Sequence, residues 1–215
     1  YESMPPLIVQ AFVSAEDKTF FTHHGFDVFG ILRAVFVNVY NAATDQRPVG
    51  ASTITQQVAK IFFLDNEVSY ARKIREAILA YRLERAIGKE RILELYMNEI
   101  FLGNRAYGVA AAALNYFNKS LDELSVEEAA YLAGLPKAPN NYNPQRNYEA
   151  AVERRNYVIR RLADDGHISR EEEARALATP LETRPRERLI TVDARSFTEE
   201  VRRELEAMLG PERLY

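Results

Sequence analysis

Apolar positions along this chain recur at intervals of three and four, with scarce strand signals, and the residues between them are of the kind that start and stop helices. Pro5 and Pro6 suit the first turn of a helix carrying Leu7, Ile8, Ala11, Phe12 and Ala15 on one side, which puts Glu16 near its C-terminal end. Asp27 can cap a helix over Val28–Ala43. Thr53 with Gln56, and Ser125 with Glu128, have the spacing of capping boxes, in which two side chains reciprocally satisfy free backbone N–H groups at a helix start. Ser69 opens another helix that Gly88 can stop. Residues 91–99 and 109–117 read as helices flanking a glycine-bearing turn at 103–108, and residues 148–165 as a long helix ended by Gly166. The loop 135–147 contains Pro136, Pro139 and Pro144 and cannot be helical throughout, because proline disfavours helix in the residue before it. The pattern predicts eight or more helices and a mainly α fold.

Two stretches depart from one-sided helices. Val28–Ala43 is apolar nearly all round, interrupted by Arg33 and Asn38, and the Ile-Phe-Phe-Leu run at 61–64 adds a second apolar patch. Sixteen residues are fewer than the roughly 20 a membrane span needs and too apolar for a wet surface helix. The segment is therefore either a buried core helix or one lying in a membrane interface, and its length and pattern alone favour the core. From Thr179 the chain changes character: Pro180 and Pro185 flank a charged stretch, and an amphipathic helix is expected over 196–209. Residues 179–215 read as a linker, and an end at Tyr215 just past a helix stop at Gly210 reads as a boundary inside a longer protein.

Composition narrows this further. A chain of 215 residues, 47% hydrophobic and 27% charged, is compatible with one globular domain and a short annex. Its formal net charge of -3 argues against nucleic acid as a partner, so any basic residues that matter act locally. Cysteine is absent, which excludes disulfides and thiolate metal sites. The N-terminus lacks the charged-then-apolar pattern of a signal peptide.

Four constellations could carry chemistry. In Glu16-Asp17-x-x-Phe20-x-x-His23-x-Gly25-x-Asp27, two acids end an apolar helix; a carboxylate set against Phe12, Phe20 and Phe21 would be desolvated and a stronger base. His23 and His24 are adjacent and diverge, and no third ligand follows at a short spacing, so zinc is disfavoured. In Gly50-Ala51-Ser52-Thr53-Ile54-Thr55-Gln56-Gln57-x-x-Lys60, a helix start offers free backbone donors beside neutral polar side chains, a setting for a phosphate or sugar or simply a well-capped helix. In Arg72-Lys73-x-x-Glu76 the three charges share one helix face; basic residues in a first turn oppose the helix dipole, a cost understandable if an anion lands there. Such an anion would be a diphosphate, and Glu76 could hold a divalent cation on it; a solvated charged face is the plainer alternative. In Glu94-x-Tyr96-Met97-Asn98-x-x-Phe101-x-Gly103, Asn98 can orient a hydroxyl, while helix packing explains most of the rest.

Read in order, these blocks resemble the motifs of glycosyltransferase family 51, the polymerase domain of class A penicillin-binding proteins. The fifth motif is represented by Leu124-Ser125-x-x-Glu128-Ala129-Ala130-x-Leu132-Ala133-Gly134-Leu135-Pro136, then Pro139, Tyr142-Asn143-Pro144 and Arg154-Arg155. The resemblance covers residues 1–178 and implies a lysozyme-like helical lobe with a smaller hydrophobic, membrane-facing lobe over about 26–64. That reverses the preference for a core position of Val28–Ala43. It further implies that Glu16 is the general base deprotonating the 4-hydroxyl of the acceptor lipid II sugar. The hydroxyl attacks the anomeric carbon of the growing strand with inversion, making a β-1,4 linkage and expelling undecaprenyl diphosphate. Glu76 matches the second essential acid, assisting the departing diphosphate directly or through a metal ion, so that Mg or Mn is an implied cofactor. Gln57, Lys60, Arg72, Lys73 and Asn98 match donor-site positions binding diphosphate, sugar or the inhibitor moenomycin; Asp17, Ser52, Thr53 and Gln56 are further candidate substrate contacts.

The implied setting is the outer, periplasmic side of a bacterial cytoplasmic membrane, with a transpeptidase domain following residue 215 and a transmembrane helix preceding Tyr1. Two positions depart from the family pattern: Ile61 follows Lys60 where asparagine is common, and Val68 lies where a basic residue often precedes the third motif. Two other readings compete. A lysozyme-like glycan hydrolase would use a protonated glutamic acid but has no diphosphate for Arg72 and Lys73 to bind. A non-catalytic membrane-surface module would leave both acids incidental.

Overall fold

A computed structural model describes residues 4–44, 52–64, 69–184 and 203–204. The chain divides into two compact units, Tyr1–Pro185 and Arg186–Tyr215. In the second, only Arg203 and Glu204 are described, both helical, so the helix expected over 196–209 lies otherwise outside the described residues.

Unit one is helical: α1 (Pro6–Glu16), α2 (Val28–Ala43), α3 (Ile54–Phe63), α4 (Tyr70–Glu99), α5 (Val109–Phe117), α6 (Val126–Gly134), α7 (Tyr148–Asp164) and α8 (Arg170–Ala178). The punctuation works as its chemistry dictates. Pro6 occupies the first position of α1, Asp27 accepts from the Gly30 amide, Ser69 from the Arg72 amide, and both expected capping boxes form. Gly88 takes φ 73° and is not helical, so it stops the stretch opened by Ser69 as expected, and a second helical stretch follows at once and runs to Glu99 within the span of α4. Helix α8 was not signalled by apolar periodicity, being mostly polar; its Ser169–Glu172 capping box is the local cue. Among the described residues β pairing is confined to one bridge between Phe101 and Tyr107, closing the turn at 103–108.

The core forms where α1 packs against α6 and α7. Ile8, Ala11 and Phe12 on α1 are fully enclosed, and α6 meets them with small residues, Ala129, Ala130 and Ala133. Small side chains let helix axes approach, which is how an eleven-residue helix becomes a central one. Helix α3 packs along α4, and the loop between α1 and α2 is wedged against both.

Helix α2 overturns the position that periodicity favoured. Phe29 is 84% exposed and Phe36 75%, and Val28, Leu32, Val35, Val39 and Tyr40 are also open. Over the part of the helix whose side chains are described, residues 28–41, only a narrow strip of Gly30, Ala34 and Asn41 is buried. Periodicity cannot distinguish a helix enclosed by protein from one enclosed by another apolar medium, since both are apolar all round. Phe62 and Phe63 at the end of α3 are likewise exposed. In the described residues no helix is long and apolar enough to cross a membrane.

Gly25 shows how tightly the α1–α2 loop is set. Its φ is 88°, and a Cβ there would lie 2.7 Å from the Tyr81 amide nitrogen and 2.9 Å from the Ala80 carbonyl carbon, backbone atoms that no rotamer change can move. Gly25→Ala is expected to cost about 2–4 kcal/mol, combining a left-handed backbone with a backbone clash. Urea unfolding measures it; a loss below about 1 kcal/mol would mean the loop can leave α4 freely.

Candidate active site

Glu16 is the last residue of α1, where the carbonyl end of the helix dipole opposes a negative charge. Its carboxylate is nonetheless enclosed, only 12% exposed. Gln57 from α3 donates its Nε2 to Oε2 at 3.0 Å, and Arg154 from α7 brings Nη2 to 3.3 Å from Oε1. Burial raises the pKa of Glu16 above the ordinary carboxylate value; the Gln57 hydrogen bond and the charges of Arg154 and Lys137 lower it less, and Asp17 adds to the rise. The orientation of Gln57 is fixed from behind. Tyr96 donates its hydroxyl to the Gln57 amide oxygen at 3.3 Å, leaving the amide nitrogen to face Glu16. Burial and the charge of Glu16 push the Tyr96 phenol well up, which keeps it a donor.

Arg154 reaches Glu16 across Gly134, where no side chain stands in the way. A Cβ at Gly134 would lie 3.0 Å from the Arg154 stem, and the Gly134 carbonyl accepts from Arg154 Nε at 3.1 Å. The guanidinium also lies over the Tyr157 ring, 4.8 Å from its centroid.

The second acid is held differently. Glu76, one turn into α4, is almost fully buried; Arg72 donates to Oε2 at 2.7 Å and Lys73 to Oε1 at 2.5 Å. Lys73 Nζ also lies 2.8 Å from Ser52 Oγ, joining α4 to the segment before α3. Burial of a carboxylate is tolerable here because both its oxygens carry charge-assisted hydrogen bonds.

Glu16 and Glu76 line one cleft of about 720 Å³, together with Lys60, Arg72, Lys73, Lys137 and Arg154. Five cations against two carboxylates make this cleft locally positive in a chain whose formal charge is -3. A second cavity of about 460 Å³ adjoins it, with Lys18, Arg33 and Arg161 in its wall. Ala15, Glu16, Ser52 and Tyr157 line both, so the Glu16 carboxylate sits at the junction.

Of the residues expected from sequence, Glu16, Ser52, Gln57, Lys60, Arg72, Lys73 and Glu76 meet in the larger cleft. Others do not. Asp17 and Thr53 line the smaller cavity instead, although Asp17 also accepts from the Ile54 amide and from His23 and Thr53 donates to the Gly25 carbonyl; Gln56 lines neither and completes the α3 capping box. Asn98 is exposed and lines neither cavity. The expected aromatic surround of Glu16 is also different: Phe21 is half-exposed, while His23 and Lys89 flank Phe20. His23 faces inward and His24 outward, as adjacent residues must. Tyr142 and Arg154, quoted in the fifth motif but given no role, also enter the cleft, as do Lys137 and Tyr157, which had no signal in sequence, because only tertiary packing brings α7 and the turn before it to α1. Val68 lies outside the described residues.

The donor set does not form a cation site. A divalent ion needs several oxygen ligands, and Glu76 is a lone carboxylate whose oxygens already face Arg72 and Lys73. No group of three or more His, Cys, Asp or Glu side chains could hold a metal among the described residues.

The raised pKa of Glu16 has a stability consequence. A carboxyl whose folded pKa exceeds its unfolded value stabilises the fold when protonated, and that contribution is lost as pH rises through the folded pKa. Glu16→Gln removes the titration. The stability of the variant relative to the parent should therefore increase from about pH 4.5 upward until Glu16 is fully ionised, then level off. Urea midpoints across that range test it, and a relative stability that falls with pH would contradict the assignment.

Comparison with known proteins agrees with this geometry. A family model described as Transglycosylase matches residues 1–163. Penicillin-binding protein 1A of Rickettsia bellii is 50% identical over 208 residues, covering 97% of this chain and 26% of that protein. Penicillin-binding protein 1A of Escherichia coli is 48% identical over 171 residues, covering 80% of this chain and 20% of that protein. The crystal structure of penicillin-binding protein 1A from Haemophilus influenzae is similar with a TM-score of 0.52 at 30% identity, over 100% of this chain and 21% of that one. The chain thus spans about a quarter of the length of the curated relatives it matches. With a family model matched over most of its length and a cleft built from the residues of that match, the chain belongs to the transglycosylase family.

Proposed function

We propose that this chain is a peptidoglycan glycosyltransferase domain that polymerises lipid II. The observation that carries the proposal is the junction: an enclosed carboxylate opening onto two cavities, one of them lined by five cations. A transferase needs two sugar sites meeting at one base, and a diphosphate leaving group needs concentrated positive charge. The growing strand takes the larger cleft, its diphosphate against Lys60, Arg72 and Lys73, and the acceptor takes the smaller cavity. Glu16, ionised, accepts the proton of the acceptor 4-hydroxyl; the oxygen bonds to the anomeric carbon as the bond to diphosphate breaks, giving inversion and a β-1,4 linkage. Glu76 keeps Arg72 and Lys73 aimed at the leaving group. Asn98 lies outside this scheme. A hydrolase reading is also compatible with a carboxyl of raised pKa, yet it leaves the cations of the larger cleft without a role.

The exposed face of α2 and the end of α3 serve as the membrane-facing lobe in this reading. Phe29, Phe36, Val39 and Tyr40 with Phe62 and Phe63 present far more apolar side chain than a soluble monomer usually shows. A lipid-linked substrate has its diphosphate at the headgroup level and its tail in the bilayer, so a domain resting on the outer face of the cytoplasmic membrane meets it without extracting it. The longer protein carries a transpeptidase domain in the same reading.

Glu16→Gln should reduce lipid II polymerisation by about 100-fold or more, the typical worth of a general base, while leaving moenomycin binding within a few-fold of the parent. Near-normal turnover would place the base elsewhere. For the lobe, flotation with liposomes should bring the parent chain to the lipid fraction and leave a Phe29→Ser, Val35→Ser, Phe36→Ser variant behind. Equal partitioning of the two would remove α2 from the membrane contact.

A further inference from the structure

A second group of charges lies behind the cleft, and the transfer reaction does not touch it. Asp17 and His23 come from the loop after α1, and Glu84 and Lys89 from either side of the break at Gly88 in α4. Their side chains are 3%, 7%, 6% and 19% exposed respectively. His23 Nε2 lies 2.9 and 3.1 Å from the two Asp17 oxygens, which places its proton on Nε2. Its Nδ1 then accepts from Lys89 Nζ at 3.4 Å. Lys89 also bonds Glu84 Oε1 at 2.5 Å and lies 4.5 Å from the centroid of the Phe20 ring.

Both carboxylates grip the same turn. Asp17 Oδ2 accepts from the Ile54 amide at 3.0 Å, and Glu84 Oε1 accepts from the Thr55 hydroxyl at 2.6 Å. These are the first two residues of α3. The capping box of that helix satisfies the Thr53 and Gln56 amides and Asp17 satisfies that of Ile54, whereas Glu84 binds a side-chain hydroxyl and is not needed by any backbone group there. What they add is placement, fixing where α3 starts relative to α1 and α4. The arrangement is expensive, since buried charges cost several kcal/mol each in desolvation and apolar packing would fill the space more cheaply.

Two residues beyond Thr55 stands Gln57, the amide that holds Glu16. We propose that Glu84 and Lys89 are positioning residues for the base: through Thr55, and through His23 and Asp17, they hold the first turn of α3 so that Gln57 stays in contact with Glu16. The proposal rests on the glycosyl-transfer reading for its kinetic consequences, though not for its structural ones. The break at Gly88 is part of the device, because it lets Lys89 reach back to Glu84 across five residues. Glu16 is faced by Gln57 from α3, Tyr96 through Gln57 from α4, Arg154 from α7, Lys137 from the turn before it, and Asp17 beside it. Among these, only Gln57 and Asp17 are reached by the buried group.

The test uses Glu84→Gln and Lys89→Met, with Lys89→Arg as the conservative control and Thr55→Val as a variant that breaks one bond without removing a charge. Each is combined with Gln57→Ala. In lipid II polymerisation, Glu84→Gln, Lys89→Met and Thr55→Val should lower kcat about tenfold with KM within about twofold, and Lys89→Arg should recover most of the loss. The acid limb of the pH profile should move to higher pH, because Glu16 loses the hydrogen bond that lowers its pKa. In the Gln57→Ala background the same substitutions should cost less than about twofold more, as expected of residues acting through Gln57. Equal losses in both backgrounds, or an acid limb that does not move, would overturn the proposal. A carbon-detected NMR titration of the Glu16 carboxyl needs no substrate. A rise in its pKa on Thr55→Val that vanishes in the Gln57→Ala background supports the proposal even if the parent chain polymerises nothing; no rise overturns it whatever the reaction.

Discussion

The enclosed carboxylate of Glu16 is the constraint around which the domain is arranged. It ends a helix whose dipole disfavours it, and burial disfavours its charge again, so the fold must offset both without neutralising the group permanently. Two partial supports do this. Gln57 supplies a neutral hydrogen bond and Arg154 a single contact at 3.3 Å, long for a charge-assisted bond. The ion pair with Arg154 is single and long, and burial outweighs both supports, so the pKa stays raised. Because the supports arrive from α3 and α7, both helices must hold station against α1, which accounts for the small residues of α6, the glycine at 134 and the anchoring of the loop after α1.

Glu76 is treated in the opposite way. It is buried with a cation on each oxygen, and the cations sit in the first turns of α4, where they oppose the dipole. A helix optimised for stability would carry acids there. Glu76 orients Arg72 and Lys73 before any ligand is bound, so the two cations stand as an aligned pair in the wall of the cleft. Ser52, bonded to Lys73, extends the alignment to the segment before α3.

The same chain leaves its most apolar helix uncovered. Burial of α2 would have contributed on the order of 1.5–3 kcal/mol for each large side chain enclosed, and the domain forgoes this at Phe29, Phe36, Val39 and Tyr40. Only Gly30, Ala34 and Asn41 anchor the helix to protein. Small residues on one strip and bulky ones everywhere else suit a helix that rests on a thin support and presents the remainder to another apolar phase.

Much of this was legible in the residues themselves. Helix starts and stops were written in side chains that satisfy backbone groups within four residues, so Asp27, Thr53, Ser69, Ser125 and Gly88 could be read without a fold. The acids and the basic cluster were visible because their spacing along one helix face is a local property. Three things were not. The environment of α2 depends on what lies outside it, and an all-round apolar pattern is silent on that. The division of motif residues between the cavities depends on side-chain direction: Glu16 and Asp17 are neighbours, yet Glu16 lines both cavities, whereas Asp17 lines only the smaller one and clamps α3. Arg154 stood in the fifth motif of the family resemblance but without a role, and Tyr157 had no signal at all, since a charged, amphipathic helix such as α7 offers many arginines and only packing selects which reach Glu16. Local hydrogen bonding is encoded by near neighbours in the chain, whereas burial and long-range electrostatics belong to the folded assembly, where the 138 positions between Glu16 and Arg154 close to a single contact.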